Sequence, residues 1–224
     1  MKTSKLYTLD KDLLDKVLGI WNDSSSVYVP VGKGKDIQLL PLGAGDRTED
    51  YINLTLPVKE MVFEQKEGLF KWERSGDNVE VEDLHHQHSK NRILYGIRAC
   101  DTYGIAYTDR FFLREFPDPN YKSRRDETTI VAVNCLKAGL HCFCTSVKTG
   151  VFSTVGYDLA LTPFDSYYLV EVATPKGEGL ISQAKHYFIE TDDGKLKDKD
   201  DLMAIVEESF PLKMDLTNLW DDMA

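Results

Sequence analysis

The sequence predicts an α/β fold: a mixed sheet containing a parallel βαβ unit, with flanking helices and a mixed α+β arrangement as the alternative. Three observations predict it. "RILYGIRA" (Arg92 to Ala99) and "TTIVAVNC" (Thr128 to Cys135) are short apolar runs of the kind that strands buried on both faces require. Between them, "TYGIAYTDRFFLREF" carries Ile105, Thr108, Phe112 and Phe116 along one helical face. A strand, a helix and a second strand in that order give a right-handed crossover with parallel strands.

The other elements follow along the chain. Leu13, Leu14, Val17, Leu18 and Trp21 fall at helical spacing, with Thr8 or Asp10 as N-cap, and the helix breaks at "NDSSS". "VYVPVGKGKDIQLLPL" reads as two strands around a Gly-Lys turn, with Pro30 and Pro41 pointing to edges or bulges. Its "GKGK" lacks the long Gly-rich span of a phosphate loop. "LPVKEMVFEQKEGLFKW" has no clean period and reads as irregular, while "NVEVEDLHHQHSKN" reads as a polar loop between elements. "DLALTPFDSYYLVEVATPKGEGLI" supplies one or two further strands and a Gly-rich turn. "TDDGKLKDKDD" reads as a solvated loop. "KDKDDLMAIVEESF" follows as an amphipathic helix with Leu202, Ile205, Val206 and Phe210 on one side. "DLTNLWDDMA" looks like the start of another helix. One domain over 1–224 is expected, with 1–80 as a candidate small N-terminal subdomain.

Composition sets outer limits. The chain has 224 residues, 42% hydrophobic and 29% charged, a mixture that can bury a core. Its net charge of −10 argues against non-specific nucleic-acid binding, which depends on clustered Lys and Arg. No stretch reaches the length of apolar sequence that a membrane helix needs, so no membrane insertion is expected. "MKTSKLYTLDKDLLDK" lacks the apolar core of a signal peptide, which predicts a cytoplasmic protein.

Four cysteines then need an explanation. Three fall in "NCLKAGLHCFCTS" as Cys135, Cys142 and Cys144, and the fourth, Cys100, lies in "YGIRACDTYG". In a reducing compartment such a cluster points to metal or catalysis rather than to disulfides. In the predicted βαβ unit Cys100 follows the first strand and Cys135 closes the second. Their neighbouring ends form the edge where open α/β sheets bind ligands. The spacing C-x34-C-x6-C-x-C matches neither ferredoxin nor zinc-ribbon patterns. Three readings stay open on the residues alone: buried structural cysteines, a thiolate metal site, and a nucleophilic cysteine with His141 or another of the histidines as base. His85, His86 and His88 ("HHQH") have partial metal-ligand spacing but sit in a polar stretch, where a solvated loop is the simpler account. Arg124 and Arg125 in "YKSRRDET" stand ready to pair with carboxylates or an anionic partner.

"LPVKEMVFEQKEGLFKW", "ILYGIRACDTYGIAYTDRFF", "YKSRRDETTIVAVNC", "HCFCTS", "GYDLALT" and "YYLVEVATPKGEGLI" occur together and in this order. Over residues 25–220 the chain thereby resembles the N-terminal region of the iron–sulfur β subunit of soluble sulfhydrogenases and of the corresponding iron–sulfur subunit of anaerobic sulfite reductase. The resemblance implies a 4Fe-4S electron-transfer subunit of an anaerobic oxidoreductase complex. It would relay electrons between a flavoprotein reductase subunit linked to NAD(P)H and a catalytic redox subunit of hydrogenase or sulfite reductase type. Flavin is then expected on the partner. It also implies one [4Fe-4S] cluster on Cys100, Cys135, Cys142 and Cys144, with zinc in the same thiolates as the alternative. Arg98, Asp101, Lys59, Arg124 and Arg125 are the candidate cofactor-binding or docking residues around it, with Glu60 beside Lys59. Asp101 is expected either to cap the helix that starts at Thr102 or to act on the cluster oppositely to Arg98. Ala99 stands where the family usually has Pro. Family members continue into a dicluster ferredoxin-like part behind a Trp-containing helix that "NLWDDMA" resembles, so a ferredoxin-type domain or protein is a further expected partner. A zinc-binding or metal-free docking module for a redox complex is the non-redox alternative.

Overall fold

The computed structural model describes residues 5–84 and 91–216. The histidines of "HHQH" and the closing "TNLWDDMA" lie outside these residues. Among the described residues, eight strands form one mixed sheet in the order β10-β1-β9-β8-β7-β6-β2-β3, and two more form a separate hairpin. The strands are β1 (Leu6–Asp10), β2 (Ser26–Lys33), β3 (Asp36–Pro41), β4 (Phe70–Ser75), β5 (Asn78–Asp83), β6 (Arg92–Ile97), β7 (Thr128–Val133), β8 (Leu159–Pro163), β9 (Tyr167–Val172) and β10 (Phe188–Thr191). The helices are α1 (Leu14–Ser24), α2 (Ala99–Phe112), α3 (Pro119–Asp126), α4 (Pro175–Gln183) and α5 (Gly194–Glu208).

Strands β2, β6, β7 and β8 run parallel. β9, β1, β10 and β3 pair antiparallel at the flanks, which makes the sheet mixed as expected. The period-2 alternation of side chains builds two cores from one sheet. Val27, Ile93, Tyr95, Val131, Val133, Leu159 and Leu161 face α1 and α4, where Trp21 is fully buried. Its indole N–H donates to the Leu180 carbonyl at 3.0 Å and its ring stacks on Phe188. Leu94, Ile97 and Ile130 face the other way, against Ile105 of α2 and Val58. A bulge at Gly96 produces this change of side between Tyr95 and Ile97. Gly96 has φ +87°, and a side chain there would meet Pro30 Cγ and Tyr51 Oη, each at 2.7 Å.

Several local expectations are corrected. β2 is interior, not an edge, and Pro30 is tolerated because the pairing with β6 ends at Tyr28. "NVEVED" is a strand of a hairpin with Phe70–Ser75, closed by a tight Gly76-Asp77 loop. "PKGEGLI" is α4 rather than a turn, because Thr174 caps it and Pro175 starts it. "GKLKDKDD" is already the first half of α5, and Ile205 in that helix is exposed while Val206 and Phe210 are buried. α2 ends at Phe112, so Phe116 lies beyond it and is exposed. α3 adds a second helix to the crossover, capped by Asp118, whose carboxylate accepts from the Tyr121 amide at 2.7 Å.

Candidate metal centre

β6 and β7 are parallel neighbours, so their carboxyl ends lie side by side. The chain leaves β6 through Arg98 and enters α2, which places Cys100 in the helix's first turn. It leaves β7 through Asn134 and Cys135 into a long loop that returns at β8 and carries Cys142 and Cys144. Asn134 fixes the start of that loop. It is buried, its amide nitrogen donates to Thr162 Oγ1 at 2.8 Å, and its oxygen accepts from the Ser153 amide at 2.8 Å. The loop's other side is held by α5: Val206 and Phe210 pack with Val151 and Phe152, and Cys142 and Cys144 lie against that cluster. Lys199 of α5 contacts both carboxylate oxygens of Glu171 on β9 at 2.8 Å, which ties the helix to the sheet.

These constraints bring the four thiols together. All are free and half-buried. The Cys100 and Cys144 side chains interact, which holds the Cys144 thiol below the usual thiol range and pushes Cys100 well above it. Cys135 is in electrostatic contact with Cys142 and Cys144, and burial raises its pKa to about 11 although Arg98 opposes this. Amides reach the sulfurs as well. The Gly139 N–H donates to Cys142 Sγ at 3.2 Å, and the Ala99 backbone bonds Cys135. Among the described residues, no three His, Cys, Asp or Glu groups stand at the mutual distances that a bound metal ion requires.

Arg98 borders the thiols from beneath. It is buried and donates to the carbonyls of Val133 (3.2 Å), Glu49 (3.3 Å) and Tyr51 (2.7 Å). Its guanidinium carbon lies 4.0 Å from the centre of the Tyr51 ring. Its Nε is buried without a hydrogen-bond partner. Asp101 is near it. Burial raises the Asp101 carboxyl to about 6 against the pull of Arg98. Asp101 does not cap α2: the N-cap is Arg98, without a side-chain cap bond, and Asp101 sits in the first turn. A cleft of about 350 Å³ opens here, lined by Lys11, Asp50, Tyr51, Arg98, Cys135 and Lys137 among others.

The other named residues are elsewhere. Arg124 is buried, donates to Val62 O at 3.1 Å and pairs with Glu67. Arg125 pairs with Asp109 at 3.1 Å and donates to Thr128 O. Thr128 begins β7, so both arginines work at the strand end opposite Cys135. Lys59 is exposed on a short 3-10 turn (Val58–Met61) that is tied through Met61 O to Arg92, the first residue of β6. His141 is exposed and is not among the described hydrogen-bond partners of the thiols. Sequence reasoning passed over Asn134, Glu49 and Tyr51. Asn134 abuts the first loop cysteine, a signal that was available. Glu49 and Tyr51 lie in an aperiodic stretch with no such signal.

The fold places four free, half-buried cysteines near the carboxyl edge of a mixed α/β sheet. No family model matches the chain. It is similar to the sulfhydrogenase 2 subunit beta of Pyrococcus furiosus, 28% identical over 163 residues, which cover 72% of this chain and 46% of that protein. The similarity agrees with the resemblance read from the sequence. The chain spans less than half the length of that curated relative.

Proposed function

We propose that the chain holds one [4Fe-4S] cluster on Cys100, Cys135, Cys142 and Cys144. In this reading it is an electron-transfer subunit of a multi-subunit redox complex, set between an NAD(P)H-linked flavoprotein and a catalytic subunit of hydrogenase or sulfur-reductase type. The observation that supports it is the meeting of Cys100 with the three cysteines of a loop more than thirty residues on, at one strand edge. The donor set fits the group in number and softness. It fits also in its surroundings: amide N–H groups directed at sulfur and a buried guanidinium with an unpartnered Nε. The four thiols do not yet form a closed shell, so binding would draw them together.

When bound, the cluster supplies one-electron chemistry. The chain's own residues set its environment. Arg98 adds positive charge, the Gly139 and Ala99 amides stabilise negative charge on sulfur, and the Phe152 and Phe210 cluster limits water. Partners would carry the flavin and the catalytic metal. Such a cluster suits a reducing, cytoplasmic setting. Among the described residues no helix is long and apolar enough to cross a membrane.

Anaerobic purification followed by iron, sulfide and zinc analysis tests this. About four irons and four sulfides per chain, with a visible band that dithionite bleaches, are expected. The band should disappear in Cys142→Ser and Cys144→Ser. A colourless protein holding one zinc would replace the relay with a structural docking module. Absence of both metals after anaerobic reconstitution would end both metal readings.

A further inference from the structure

The thiol-bearing loop departs from the rest of the molecule in charge and in polarity. From Thr128 to Tyr157 the sequence contains no Asp or Glu, in a chain with 37 of them and a net charge of −10. The same stretch carries Lys137 and Lys148. Lys148 is held at φ +57°, the one left-handed non-glycine residue among those described. Apolar side chains that would ordinarily be buried are turned outward here. Leu136, Leu140, Phe143 and Val147 are all exposed, Leu140 to 77%. Beside them the cleft at Cys135 is lined by three cationic side chains, Lys11, Arg98 and Lys137. The acids nearest to it are already engaged. Glu49, on the cleft wall, binds Arg47 and the Tyr168 hydroxyl, and Asp50, also on the wall, pairs with Lys137 at the exposed rim, a contact that an incoming carboxylate would replace. Farther along the loop, Lys148 and Lys213 line a second groove with Glu207 and Glu208 of α5.

We propose that this loop and the cleft beside it form the docking face for a small acidic electron-carrying protein, whose carboxylates meet Lys11, Lys137 and Lys148 around a contact made by Leu140 and Phe143. The assignment of an electron carrier rests on the cluster reading above. The charge argument is independent of it. A basic, apolar-centred face on an otherwise acidic protein attracts an acidic partner and steers its approach. It also supplies the exposed apolar centre with a polar rim that transient interfaces use. A second copy of this chain is disfavoured, because most of its surface repels at a net charge of −10.

The test is titration calorimetry of the full chain with an acidic ferredoxin as probe, with and without the cluster, while iron content is measured in parallel. Binding is expected at low salt and should weaken about tenfold or more towards about 0.3 M salt. Lys137→Glu with Lys148→Glu should abolish it at low salt. Lys33→Glu with Lys35→Glu, the same charge change on the exposed β2–β3 turn, should alter it much less. Leu140→Ser with Phe143→Ser should weaken binding and leave its salt dependence in place. No binding to either form, equal loss in both lysine pairs, or self-association through Lys137 and Lys148 would overturn the proposal. Binding through these lysines by a protein that takes up no iron even after anaerobic reconstitution would end the cluster reading and leave the docking face standing.

Discussion

Arg98 concentrates the physical tension of the site in one side chain. A buried guanidinium is costly unless its donors are occupied, and here three main-chain carbonyls and the Tyr51 ring occupy them, with Nε left over. None of those acceptors is a carboxylate. Arg98→Met should therefore leave three carbonyls unsatisfied and lower stability by about 2–4 kcal/mol, read by urea unfolding of the purified protein. Arg98→Lys retains charge but cannot span the same carbonyls, and should recover only part of this. Asn134→Ala removes both ties at the root of the loop and should cost about 2–3 kcal/mol. It should also lower the iron retained per chain, an effect that a purely structural change remote from the thiols would not produce. At this scale the sequence exposes residue types but not distances. The four cysteines were legible because soft ligands are rare and three crowd one loop. Arg124 and Arg125 were not, because an arginine before a strand looks the same whether it reaches a ligand or, as here, locks Glu67 and Asp109 at the other end of the sheet.

Elements were legible wherever burial imposed a period. β6, β7, α1 and α2 each meet the core with regular spacing, and each lies close to where the pattern puts it. The errors fell where no core disciplines the pattern, and where glycines mask a helix that does meet the core. The β4–β5 hairpin has every residue exposed, so its alternation of Phe70, Trp72, Val79 and Val81 against charged neighbours has no buried face to mark it. α4 was hidden by two glycines that are poor helix formers. Gly177 is required because a Cβ there would come within 2.3 Å of the Asp158 carbonyl. A two-stranded hairpin is marginal by itself. Replacing residues 70–83 by a short Gly-Ser linker should shift the main thermal transition little, since neither core cluster draws on this hairpin. Differential scanning calorimetry would decide. A large fall in Tm would mean that the hairpin supports the sheet in a way its exposure hides.

The whole molecule separates a rigid scaffold from an adaptable site. The largest core lies between the sheet and α1 with α4, and the second lies under α2; neither contains a cysteine. Cys142 and Cys144 belong instead to a satellite cluster formed by the loop and α5. The parallel strands thus set where the thiols meet, while the loop and α5 set how closely they approach. This arrangement makes two perturbations separable. Trp21→Ala should remove about 3–5 kcal/mol from the scaffold, because it empties a fully buried site and breaks the bond to Leu180. On the proposed cluster reading, stripping iron with a chelator should leave far-UV circular dichroism and the main unfolding transition nearly unchanged. It should instead open the loop between Asn134 and Ser153 to limited proteolysis, since that loop's backbone bonds are mostly short-range turns and it depends on its satellite cluster. Phe210→Ala, just beyond α5, should reproduce this cleavage in the iron-loaded protein by opening the same cluster. Cleavage within the β6–β7 region after iron removal would show the opposite coupling, with the metal supporting the sheet itself.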